Sequence, residues 1–143
     1  MSSSIDFYLL KDTQATAAAM LACRLAEKAY GHGNSAFIYC DNAQNADAIN
    51  QLLWTFKEDS FIPHARAGTS AEKEAPIVIG SDLTATTRDY DILINLHPQV
   101  NTAHVKFSRI LDIVANDPML KEHGRQRYRY YREAQYPLNL HEL

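Results

Sequence analysis

Cationic and tyrosyl side chains interleave in one short stretch of the sequence, Lys121-Glu122-His123-Gly124-Arg125-Gln126-Arg127-Tyr128-Arg129-Tyr130-Tyr131-Arg132. It holds five positive residues and one negative, a net +4 within a chain of formal charge −3, which leaves −7 for the remainder. Such a local excess points to anion recognition. Arginine supplies a planar fork for a carboxylate or phosphate, and tyrosine beside it supplies a flat amphipathic wall. A peptide end that joins a carboxylate to an apolar side chain suits this combination. So does single-stranded nucleic acid, with bases on tyrosine and phosphates on arginine.

At about 100° per residue, Lys121, Arg125, Tyr128 and Arg132 share one helical arc of roughly 60°, with Arg129 at its margin. Leu120, Gly124 and Tyr131 cluster on an adjacent face suited to packing, and Arg127 lies between the two as a snorkelling or rim residue. A solvated helix face is the plain alternative. Against it, cations spaced four apart repel one another by a few tenths of a kcal/mol per pair. Gly124 inside the helix costs about 1 kcal/mol relative to alanine, which suggests that another group approaches closely there.

Other chemistry finds little support. Cys23 lies in a helical pattern and Cys40 ends an apolar run, so both read as small buried hydrophobes, without the Cys-x-x-Cys spacing of redox or zinc sites. His32, His64, His97, His104, His123 and His141 include no pair at chelating helical spacing, and no metal site is expected. There is no Gly-x-x-x-x-Gly-Lys-Ser/Thr phosphate loop, no glycine-rich turn after the first strand and no Gly-x-Ser-x-Gly elbow. Neither a cofactor nor catalysis is expected.

At 143 residues, with 46% hydrophobic and 22% charged residues, the chain predicts one folded domain over 1–143. No run approaches the ~20 apolar residues of a membrane span. The start, Met1-Ser2-Ser3-Ser4, lacks the features of a secretory signal, so a cytoplasmic location is expected.

The elements that must carry the basic stretch follow from apolar runs. Ile5 to Leu10 reads as a buried strand, with Asp12 and Thr13 as candidate caps for a helix over Ala15 to Tyr30. Gly31-His32-Gly33-Asn34 stops that helix. Ala36 to Cys40 reads as a second strand, and Asp41 or Asn42 caps a second helix with Ala46, Ile49, Leu53 and Phe56 on its inner face. Phe61-Ile62-Pro63 reads as a very short strand, and His64 to Ala75 as a surface loop. Ile77-Val78-Ile79, Asp91 to Asn95 and Arg109 to Val114 read as further strands, with a short helix near Thr102 to Phe107. The last helix starts at Asp117-Pro118. Alternation of strand and helix predicts an α/β fold, a single-domain Rossmann-like arrangement with a mostly parallel sheet and helices on both faces.

A second candidate surface is Leu52 to Phe56 followed by Asp59 to His64. Trp54, the only tryptophan, points about 100° away from Leu53, so part of its ring is expected outside. Trp54 and Phe61 either close the core or anchor a protein partner.

Taken in order, Phe7-Tyr8-Leu9-Leu10, Leu53-Trp54 with Asp59-Ser60-Phe61-Ile62-Pro63-His64, Asp91 to Leu96, and Arg125 to Arg132 followed by Leu138-Asn139 resemble the chi-subunit family of bacterial DNA polymerase III. The resemblance spans nearly the whole chain. It implies a Rossmann-like fold without nucleotide chemistry, in a non-catalytic member of the clamp-loader assembly. Such a protein pairs with the psi subunit and binds the acidic C-terminal tail of single-stranded DNA-binding protein. The resemblance implies tail-binding roles for Lys121, Arg125, Tyr128 and Arg129, with Val114 at the foot of the pocket, and psi-facing roles for Trp54 and Phe61. Arc geometry adds Arg132. Where relatives can carry lysine this chain has Arg129, and His123-Gly124 is a larger departure. Direct binding of single-stranded nucleic acid is the competing reading, and a nucleotide-dependent enzyme is the third.

Overall fold

A computed structural model describes residues 4–84, 88–100 and 107–143. In chain order, β1 (Ser4–Leu9), α1 (Ala17–Gly31), β2 (Ala36–Tyr39), α2 (Ala43–Thr55) and β3 (His64–Arg66) are followed by a short 3₁₀ helix at Ser70–Lys73. Then come β4 (Ile77–Gly80), β5 (Ile92–Asn95), β6 (Arg109–Val114), α3 (Pro118–Glu133) and β7 (Leu138–Glu142). The strands form one sheet in the order β3-β4-β2-β5-β6-β1-β7. Every described pairing is parallel, so the α/β, Rossmann-like expectation holds and the sheet is more uniform than expected. Among the described residues no helix is long and apolar enough to cross a membrane.

Parallel strands covered on both faces read as continuous apolar runs because successive side chains enter different cores. Ile38, Ile94 and Leu111 join the core under α1 and α2. Their neighbours Phe37, Leu93 and Ile110 join the opposite core, which α3 enters through Tyr131. α1 ends where Gly33 takes φ +78°, a conformation glycine adopts without Cβ crowding. Asn42 caps α2, its side chain accepting from the Asn45 N–H at 2.8 Å.

Four expectations need correction. Asp12 and Thr13 do not cap α1; its cap position is Thr16, which makes no side-chain bond, and Asp12 instead accepts from the Gln14 N–H at 2.9 Å in a local turn. The short strand lies at His64–Arg66 rather than Phe61-Ile62-Pro63, because Pro63 has no N–H to give a ladder and β3 begins just beyond it. The anticipated loop 64–75 therefore starts as a strand, turns at Gly68 with φ +86° and contains the 3₁₀ helix. β7 was not anticipated at all. The helix expected near Thr102 falls largely on 101–106, outside the described residues.

Candidate functional site

α3 begins where the chain can satisfy its own first turn. The Asp117 side chain accepts from the Leu120 N–H at 3.0 Å, and Pro118 occupies a position whose N–H would be unused. The helix runs unbroken through His123-Gly124. Gly124, Arg127 and Tyr131 form its buried face. A Cβ on Gly124 would lie 3.0 Å from both γ carbons of Val114, so glycine is what lets α3 rest directly on β6. Phe7 fixes the next turn, edge-on to Tyr128 at 5.4 Å and tilted to Tyr131 at 6.2 Å.

Arg127 is not the rim residue that the helical arc suggested. It is 3% exposed, and its Nε and Nη2 donate to both oxygens of Asp112, at 2.9 and 2.8 Å for the shorter contacts. Its Nη1 also donates to the Pro98 carbonyl at 2.7 Å. Burial pushes the Asp112 carboxyl above its ordinary value, and the Arg127 charge and hydrogen bonds from Arg127 and Asn95 oppose that rise. Leu120, placed by periodicity on the packing face, is instead 39% exposed, and the buried face of α3 begins at Gly124.

Between α3 and the carboxyl ends of β6, β1 and β7 lies a cavity of about 580 Å³. Parallel α/β sheets commonly bind ligands at this end of their strands. Its floor is apolar, from Phe7, Leu9, Val114 and Leu140, and its rim carries Lys11, Lys121, Arg125 and Glu142. The fold thus brings together Val114, Lys121, Arg125 and Tyr128. Arg129 and Arg132 do not line the cavity. Arg129 lies 3.6 Å from Glu122, which Arg125 also approaches at 3.4 Å, and the Arg132 guanidinium stands 6.0 Å from the Tyr128 ring centre. These ion pairs are solvent-exposed and weak, so the cations stay available to another anion.

Half of this wall escaped the sequence reading. Lys11 lies two residues beyond the end of β1, and Asn116 donates from Nδ2 to its carbonyl at 2.8 Å, tying two strand ends together. Leu140 and Glu142 come from β7, whose Leu138-Leu140-Glu142 alternation was the signal available. On the other face of β7, His141 Nε2 meets Asp6 Oδ1 at 3.0 Å while Arg109 Nε donates to Asp6 Oδ2 at 2.9 Å. Burial raises the Asp6 carboxyl, but the hydrogen bonds from His141 and Arg109 outweigh it and hold it below the ordinary value. His141 also stacks on Tyr8 at 4.8 Å.

The second surface lies elsewhere, where α2 ends. Trp54 is 53% and Phe61 69% exposed, with ring centres 5.7 Å apart, while Ile62 between Phe61 and β3 is buried. His64 sits under Trp54 at 4.6 Å, its ring nitrogens 2.7 Å from the Ile62 carbonyl and 3.1 Å from the Asn50 carbonyl. Trp54 and Phe61 form an exposed aromatic pair on a fixed support rather than closing the core. Cys23 and Cys40 are buried, and burial pushes both thiols up to about 12.

Known proteins match this arrangement along its length. The family described as DNA polymerase III chi subunit, HolC, matches residues 1–139. The chain is 34% identical over 139 residues to DNA polymerase III subunit chi of Pseudomonas aeruginosa, covering 97% of this chain and 96% of that protein. It is 31% identical over 137 residues to the subunit chi of Escherichia coli, covering 93% of each. Among solved structures, the crystal structure of T4 UvsW superposes with a TM-score of 0.70 at 12% identity, over 98% of this chain and 41% of that one. That last likeness concerns the fold alone.

Proposed function

The chain belongs to the DNA polymerase III chi subunit family, a replication accessory subunit, and from that premise we propose that it links the polymerase to coated single-stranded DNA. One face binds the acidic C-terminal tail of single-stranded DNA-binding protein, and another binds the psi subunit and through it the clamp loader. The protein acts in the cytoplasm as a non-catalytic component, without a cofactor.

One observation carries the tail reading: Lys121 and Arg125 stand on the rim of an apolar cavity floored by Val114, with Tyr128 as a wall. A peptide end offers the matching set. Its last side chain enters the apolar floor, its free carboxylate meets Lys121, Arg125 or Lys11, and upstream acids face Arg129 and Arg132. Charge-assisted hydrogen bonds of this type are the strong ones. The tyrosines of α3 are buried or half-buried, which favours a single capped end over a row of stacked bases. Trp54 and Phe61 supply the exposed aromatic anchors of a protein contact, the residue types that dominate interface cores.

A calorimetric titration with a short acidic peptide ending in phenylalanine tests the tail reading. With a free carboxylate it binds, and it weakens as salt rises; with the end amidated it loses most of its affinity. Equal affinity of the two forms sinks the assignment. Tighter binding of poly-dT than of the peptide, with the steep salt slope of several phosphate contacts, would instead support direct nucleic-acid binding.

A further inference from the structure

The cavity opens beside a sheet edge that has no strand partner among the described residues. β7 is the terminal strand of the sheet, and Asn139 to Glu142 are exposed. Its inner side is fully used. The Ile5 N–H donates to the Pro137 carbonyl, the Leu143 N–H to the Leu9 carbonyl and the Lys11 N–H to the Leu143 carbonyl, each at 3.0 Å. In a parallel ladder alternate residues turn both backbone groups to the same neighbour. Residues 137, 139, 141 and 143 therefore face β1, and Leu138, Leu140 and Glu142 direct their N–H and C=O groups outward. The side chains of Leu140 and Glu142 line the cavity.

Proteins usually blunt such an edge with lysine, proline or a bulge. Within β7 there is none of these. Cations on α3 face the same cavity instead. Lys121 and Arg125 line it, and Arg132 lies one turn beyond Tyr128 on the same helix. From Lys121 to Arg132 the helix rises about 16 Å. That is the length of about five extended residues, and β7 has five. Glu142 is the one acid on the cavity rim, where Lys11, Lys121 and Arg125 outnumber it.

We propose that the outer edge of β7 accepts an extended acidic peptide segment as an eighth parallel strand, with its carboxyl end in the cavity and its acids along Lys121, Arg125 and Arg132. The proposal rests on the tail reading and extends it, from capture of a peptide end to pairing along its backbone. Main-chain bonds supply part of the affinity and the α3 cations select acidic sequence, the division of labour of strand addition. Arg132 then meets residues upstream of the terminus.

The test uses the full chain and two synthetic peptides that share their last four residues, one four and one nine residues long, acidic before a terminal phenylalanine. Titrated at fixed salt, the longer peptide binds more tightly. Leu138→Pro removes an N–H that the β1 ladder does not use, at an edge position outside the cavity lining where proline is tolerated. It lowers the affinity of the long peptide about three- to tenfold below that of Leu138→Ala, the loss of one neutral hydrogen bond. The short peptide binds both variants equally. As a check independent of folding, N-methylation of the long peptide at alternate upstream residues weakens binding to the wild-type chain in one register and not the other. Equal affinity of the two peptides, or a length gain that survives both Leu138→Pro and N-methylation, overturns the proposal while leaving the tail reading intact. Failure of both peptides to bind overturns both.

Discussion

Replacing Arg127 by methionine isolates the one fully enclosed ion pair among the described residues. Arg127 and Asp112 have side chains 4% and 0% exposed, and the guanidinium also holds the Pro98 carbonyl. Methionine preserves much of the buried stem but leaves the carboxylate uncompensated, which costs about 3–5 kcal/mol. For a chain of this length the loss lowers Tm by roughly 10–15 °C. The deficit depends on pH, with a sign fixed by Asp112. Burial already raises its carboxyl in the wild type, and removing Arg127 takes away the main opposing influence. A carboxyl raised in the folded state contributes most when protonated, and that contribution is lost as pH rises through the folded value. The variant is therefore most impaired at neutral pH and regains stability on acidification. Arg127→Met with Asp112→Leu recovers most of the loss and abolishes its pH dependence, since an apolar replacement of a buried pair is often neutral. Urea unfolding followed by circular dichroism at several pH values measures both effects. A loss under about 1 kcal/mol, or an equal loss in the single and double variants, would refute the reasoning.

Further expectations separate the surfaces. Arg125→Ala weakens the short acidic peptide by about 1.5–3 kcal/mol, the range for hydrogen bonds to charged groups, whereas Arg129→Ala, outside the cavity, changes it by less; titration at fixed salt compares them. Trp54→Ala loosens the complex with psi and spares peptide binding, and co-purification with psi at wild-type yield would count against the assignment. Asp6 is held below its ordinary value near 3.8, so its contribution is present above that value and lost as pH falls through the folded one. Asp6→Asn therefore flattens the acid limb of the stability curve. Cys23 and Cys40, raised to about 12, resist a thiol reagent at neutral pH until urea unfolds the chain; rapid labelling of the native protein would contradict their burial.

How far the sequence revealed the molecule depended on where each signal resides. β1, β2, β4, β5 and β6 were legible because burial on both faces writes a mostly apolar run, interrupted by Asp6 in β1 and Asp112 in β6. β3 and β7 were not, because edge strands face solvent: His64-Ala65-Arg66 and Leu138-Asn139-Leu140-His141-Glu142 look like loops until a neighbour pairs with them. Asp117-Pro118 marked the start of α3 through chemistry confined to one turn. Gly124 signalled a close approach through its helix cost, though Val114 as its contact here required the fold. Arg127 was misplaced because the residue that draws it inward, Asp112, lies fifteen positions away on another element. The α3 half of the cavity could be read from helical spacing, while Lys11 and β7 joined it only through the sheet.

The placement of β1 has a consequence for how the chain is made. Ser4 pairs with Arg109 and Ile5 with Leu138, so both neighbours of the earliest strand are synthesised more than a hundred residues after it. A ribosome that has delivered β2, α2 and β4 can already assemble one half of the sheet, yet β1 still has two bare edges. High contact order of this kind slows folding and lengthens exposure of apolar strand edges. Because the cavity draws its walls from β1, β6, α3 and β7, it is completed only as this late half closes, and a chain interrupted before β6 has no pocket to offer.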